Sequence, residues 1–142
     1  MKEKIQAHPS RSFRYERDNQ MNATDVDRWP DSWKVSSKDI VYGKKLLKLM
    51  KPFIVEMEQS LSPRTAKMHK DNLWLLGSYT IDRINRNEEH RNTEPYLFLT
   101  TFIDSWDGPL IQVLSEREQH SFDGTCKKFY RYIAENVLNK SS

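Results

Sequence analysis

One cysteine, Cys126, stands alone in 142 residues. That count excludes a disulfide framework and any multi-thiolate metal site. Glycine is scarce too, with four in the chain, and none falls into the spacing of a phosphate-cradling loop or a nucleophile elbow. The four histidines, His8, His69, His90 and His120, are spread one per segment with no second histidine or cysteine three or four residues away, so no metal site is expected. No apolar run approaches the roughly 20 residues of a membrane span. The charged start from Met1 to His8 leads into no apolar stretch of the kind a secretory signal needs. The expectation is a cytoplasmic protein with no membrane association, no cofactor, no metal and no catalytic residues.

What the chain does contain suits one helical core. Hydrophobic residues make up 37% of it, with four Trp, six Tyr and six Phe, enough for a single domain and too little for two. The net charge of +3 is modest, but it is unevenly spread. From Ser36 to Asn87 ten Lys or Arg face five Asp or Glu, and from Glu88 onward six face nine. One part of the surface should therefore be basic and another mildly acidic. Residues 1–35 are polar and aperiodic and read as a flexible N-terminal arm. Trp29 and Trp33 near its end are expected to pack on the core, with docking on a partner as the alternative.

Residues 36–139 read as a helical domain. Ser36 and Asp39 have the spacing of a capping box, and Ile40, Val41, Leu47, Met50, Ile54 and Met57 then recur at helical intervals. Pro52 predicts a kink or break near Lys48 to Lys51. Ser62-Pro63 is the clearest start signal, a serine cap with proline at the first helical position. The helix it opens carries Ala66, Leu73, Leu76, Ile81 and Ile84 and should fray between Asn85 and Asn92. Gly77 within it hints at a close neighbour. Tyr96 to Ile103 suits either a strand, with Asp107-Gly108 closing a hairpin, or a short helix beginning at Thr93 to Pro95 and ended by Gly108-Pro109; the lack of any other strand signal favours the helix. Ser115 and Glu118 form a second capping box, after which Phe122, Cys126, Phe129, Ile133 and Val137 keep strict spacing. Lys127, Lys128 and Arg131 lie off that stripe.

Two of these helices resemble a known family. The run from Leu61 through Ser62, Thr65 and His69 to Leu73 and Leu76 is similar to the S-x-x-T-x-x-x-(Y/H)-x-x-x-L segment of tyrosine recombinase core-binding domains. Phe122 to Ile133, with Phe129-Tyr130-Arg131-Tyr132-Ile133, resembles the closing helix of that domain. The resemblance covers about residues 40–138, departs from the family between Asn87 and Ser115, and extends to nothing of the family's catalytic domain. It implies an all-α, compact bundle of four to five helices of the SAM-like core-binding type. It also implies a DNA-facing surface with Arg64, Thr65, Lys67 and Lys70 near the phosphate backbone and Lys127, Lys128 and Arg131 as a second contact line. A helix N-terminus and nearby cations suit phosphate. The functional expectation is thus a non-catalytic module that grips duplex DNA, such as a relic of a mobile element. The competing expectation is a helical protein-interaction module or homo-oligomer with no DNA role.

Overall fold

The computed structural model describes residues 25–138, and within them the chain is all-helical. Five α-helices follow one another: α1 (Trp29–Trp33), α2 (Lys38–Ser60), α3 (Pro63–Arg86), α4 (Pro95–Leu99) and α5 (Glu116–Ile133). Short 3-10 turns at Val26–Arg28 and Glu88–Asn92 and a π turn at Ala134–Leu138 complete the path. The described residues contain no strand, and none of their helices is long and apolar enough to cross a membrane.

The frame is an antiparallel pair, α2 and α3, joined by only Leu61 and Ser62. Its direction shows in the cross-links: Asp39 at the start of α2 meets Asn85 near the end of α3, and Glu58 near the end of α2 meets Lys70 near the start of α3. Leu46, Met50 and Ile54 of α2 and Leu73, Leu76 and Ile84 of α3 belong to one core and are almost entirely withdrawn from water. Helix α5 packs against α3 and turns Phe122, Cys126, Phe129 and Ile133, all fully buried, into the common core, where Phe129 meets Phe53 of α2 at 5.2 Å. The start of α3 is capped as expected, with the Thr65 amide donating to Ser62 Oγ over 3.2 Å. The capping box of Ser115 and Glu118 also forms in both directions.

Several expectations are corrected. The helix through Pro52 does not break: α2 runs 23 residues. Its capping box forms in one direction only: Asp39 turns back to accept from the amides of Ser36 and Val35, while Ser37 holds the cap position and no serine side chain returns a bond there. The helix expected up to Gly108 ends at Leu99, and the alternative hairpin does not form. Residues 26–33, assigned to the arm, are helical; the expected packing of Trp29 and Trp33 on the core does occur, at 0% and 5% exposure. The remainder of the arm, residues 1–24, lies outside the described residues.

Two details explain how α1 is held. The Trp33 indole donates from Nε1 to the Trp74 carbonyl over 3.0 Å, and the Trp74 indole donates to Ser32 Oγ over 2.9 Å. Gly77 gives the Trp33 ring its place, since a Cβ there would fall within the indole itself. The close neighbour that Gly77 hints at is therefore a tryptophan from before the first long helix. Asp39, fully buried, ties the other end of the bundle. Burial alone would raise its pKa, but hydrogen bonds from Arg91, the two amides and Asn85 outweigh it and hold the carboxyl below its ordinary range. Arg91 is itself held charged by Glu88 first, despite partial burial, and then by Asp39.

Candidate functional site

The residues expected at DNA do not form one free basic face. Thr65 is engaged in the α3 cap, its amide and its hydroxyl oxygen both bonded to Ser62 Oγ. Lys67 pairs with Asp71 at 3.0 Å and Lys70 with Glu58 at 2.7 Å. The Lys70 side chain is only 12% exposed, so it belongs to the α2–α3 seam more than to the surface. Arg64, Lys128 and Arg131 are exposed, Lys127 is half-buried, and none of these four makes an ion pair among the described residues.

The fold does bring the two expected contact lines toward each other, through a polar seam between α3 and α5. Asn72 Nδ2 donates to Thr125 Oγ1 over 2.9 Å and to Ser121 Oγ over 3.1 Å. His69 Nδ1 lies 2.7 Å from the same Thr125 oxygen. The Thr125 hydroxyl also has the Ser121 carbonyl within 3.4 Å as an acceptor, so either tautomer of a neutral ring fits this bond. Burial lowers the His69 pKa, and the nearby charge of Lys128 lowers it further. Lys128 therefore sits close to α3, while its charge works against a proton on His69.

Charge over the whole described part decides how strong a polyanion grip can be. Residues 25–138 carry seventeen Lys or Arg and seventeen Asp or Glu, so the described part is formally neutral. The excess of +3 resides entirely in residues 1–24 and 139–142. Counterion release scales with the number of phosphates neutralised, and a neutral body with paired lysines offers few.

A different surface stands out, and sequence reasoning missed it. Trp106 is 82% exposed, far above every other large apolar residue described. It makes no side-chain hydrogen bond and no ring contact among the described residues. Its loop is nonetheless braced. Asp104 Oδ1 accepts from the amides of Trp106 at 2.8 Å and Asp107 at 3.0 Å, and the Asp104 amide donates to the Asp107 carbonyl. The next residue, Gly108, donates to Asp123 Oδ1 of α5 over 3.1 Å. Gly108 also rests directly on the Cys126 thiol, leaving no room for a Cβ. Gln119 completes the anchorage, donating to the Pro109 carbonyl and to Asp123 and accepting from the Ile111 amide.

Beside this loop lies a half-open cleft of about 520 Å³. Its walls include Tyr79 and Arg83 from α3, His90, Phe98 and Phe102, and its rim includes Asp104 and Asp107. The rings form a continuous series: His90 stacks on Phe98 at 4.5 Å, Phe98 meets Phe102 edge-on at 5.2 Å, and Phe102 meets Tyr79 edge-on at 5.0 Å. Arg83 lies over the Tyr79 ring at 6.0 Å. Trp106 is not among the lining residues, so the knob stands beside the hollow without filling it. The only hint in the sequence was an indole set in Asp104-Ser105-Trp106-Asp107-Gly108, a turn composition with no apolar period to bury it. No group of three or more His, Cys, Asp or Glu among the described residues is placed to hold a metal ion.

Set against known families, curated proteins and solved structures, the chain matches no family model, no curated protein and no solved structure.

Proposed function

We propose that this protein is a helical association module that docks a polypeptide on the Trp106 loop and the aromatic cleft beside it. The observation that carries the reading is the 82% exposure of Trp106 on a loop whose backbone is fixed to α5. Holding a large apolar ring in water is unfavourable by about 25 cal/mol per Å² of apolar surface, and nothing within the described fold compensates. Tryptophan on a preorganised backbone is the side chain most often found at the energetic centre of protein interfaces, because it buries a wide area with little entropy to lose. A photo-crosslinking residue in place of Ser105, in the full chain expressed in cells, should yield a discrete protein adduct that disappears with Trp106→Ala. A Ser105 probe that gives no protein adduct overturns the reading.

A second reading has its own support in Arg64, Lys128 and Arg131, exposed and without ion pairs on the α3–α5 side, and in the resemblance of those helices to recombinase core-binding segments. In that reading the module grips duplex DNA. Arg64→Glu with Lys128→Glu should then weaken duplex retention at low salt for every sequence tested. Equal retention by wild type and double variant removes this second reading.

A further inference from the structure

We infer that the outer face of α2 is a docking surface for an anionic lipid bilayer, on which the helix lies flat with Val41 and Val55 at the headgroup boundary and Lys44, Lys45 and Lys48 against the lipid phosphates. This face is separate from the Trp106 loop and does not depend on the association reading. Residues seven apart on a helix fall almost in line, so the exposed positions of α2 form three columns. Lys38 and Lys45 make the first, Val41, Lys48 and Val55 the second, and Lys44 and Lys51 the third. Val41 is 64% and Val55 47% exposed. Lys44, Lys45 and Lys48 are exposed and make no ion pair among the described residues. Lys51 is paired with Asp27, and Lys38 lies in the field of Glu88. Between Lys38 and Val55 the one acid is Asp39, which is buried and bonded elsewhere.

Both the apolar and the charged positions match a bilayer surface. A helix lying at an interface sets apolar side chains along a centre line and lysines to either side. The lysine stems follow the apolar boundary while their ammonium groups reach the anionic headgroups. Here the column of Val41 and Val55 has a lysine column on each flank. A nucleic-acid backbone supplies phosphates but no apolar surface for the valines. A peptide is received in a groove or at a sheet edge, and this face is the convex outer side of one helix. Because Pro52 leaves α2 unbroken, the columns run on for about 25 Å at 1.5 Å per residue. Formal neutrality of the described part does not oppose the contact. The field of an anionic leaflet falls off within a Debye length of about 8 Å, so it acts on the lysines facing it and not on acids across the body. Each lysine near such a surface contributes about five-fold in affinity, and the three unpaired ones together about a hundred-fold. The valines add less, so the contact is peripheral and reversible.

The test is co-sedimentation of the full chain with vesicles of phosphatidylcholine, either alone or mixed with about 30% phosphatidylserine, at low and at physiological salt. Wild type should be held by the phosphatidylserine vesicles, less firmly at the higher salt, and not by phosphatidylcholine alone. Lys44→Gln with Lys45→Gln and Lys48→Gln should weaken the binding by about a hundred-fold. Val41→Ser with Val55→Ser should weaken it by about five-fold. Helical circular dichroism should stay unchanged in both, since every altered side chain is exposed. The basic excess of residues 1–24 is controlled by Arg11→Gln with Arg14→Gln and Arg17→Gln, which should keep most of the binding. A wild type that stays in solution beside anionic vesicles overturns the inference. So does a folded lysine variant that binds as well as wild type, or an arginine variant that loses the binding instead. Binding indifferent to the valine pair, with an equal grip on a short duplex DNA, assigns the face to polyanions in general and also overturns it.

Discussion

At the scale of single residues, two glycines of the helices have opposite fates. Gly77 makes way for the Trp33 indole, which is buried and pinned through Nε1 to the Trp74 carbonyl, so the ring has nowhere to go when a methyl group arrives. Overpacking of this kind costs about 1–3 kcal/mol, against which alanine recovers about 1 kcal/mol of helix propensity. Gly124 in α5 has no atom within 4 Å of the Cβ it lacks, so it keeps the propensity gain alone. Gly77→Ala should lower the melting temperature by several degrees and Gly124→Ala should raise it slightly. Thermal melts of the pair check the contrast, and a Gly77→Ala protein as stable as wild type would show that α1 is not held in this way. Part of this was legible beforehand, since an interior helical glycine asks for a neighbour. Which neighbour was not, because Trp33 lies 44 positions away in a segment with no helical period of its own.

At the scale of elements, the long helices were readable and their connections were not. Ser62-Pro63 and the Ser115–Glu118 box mark starts by local chemistry alone, and local chemistry is what a sequence displays. The partners of Lys70 and Asp39 are set by the antiparallel packing of α2 on α3, and no single helix shows that. For that reason the expected row of α3 cations is partly neutralised, and the acid of the α2 capping box, besides accepting from the Ser36 amide, is a buried carboxylate bridging three elements. The seam between α3 and α5 has a further property. His69 is neutral there, with its pKa lowered by burial and then by Lys128. A depressed folded-state pKa means the unfolded chain binds the proton more readily. The associated stability is complete above the ordinary histidine value of about 6.5 and declines as pH falls below it. Denaturation midpoints should therefore be level from pH 8 to 7 and drop between about 6.5 and 5, where carboxylates remain mostly ionised. Lys128→Ala should make that drop shallower. A midpoint independent of pH across this window in both proteins would mean that His69 titrates alike in both states.

At the scale of the whole molecule, the all-helical class was evident from periodicity, while the functional face was not. Trp106 escaped notice because apolar periodicity finds the residues a fold buries, and a residue the fold leaves outside contributes nothing to that pattern. The charge balance was legible only in halves: a basic middle and an acidic end largely offset one another once they share one body, and with residues 25–35 the described part is formally neutral, which weakens the long-range field that steers polyanions. The loop bearing Trp106 also closes a lid over the chain's sole thiol, with Gly108 resting on Cys126. The molecule thereby carries its own clock for local opening. A water-soluble thiol reagent can reach Cys126 only during excursions that uncover it, lifting of this loop among them, so the labelling rate measures how often the site opens. Labelling should be at least about a hundred-fold slower than for an unprotected cysteine, and faster when Asp123→Ala removes the bond to the Gly108 amide. Labelling of the wild type at the unprotected rate would show that the loop is not held shut. If a partner holds the loop down, occupancy of the association face becomes readable at an atom on its opposite side.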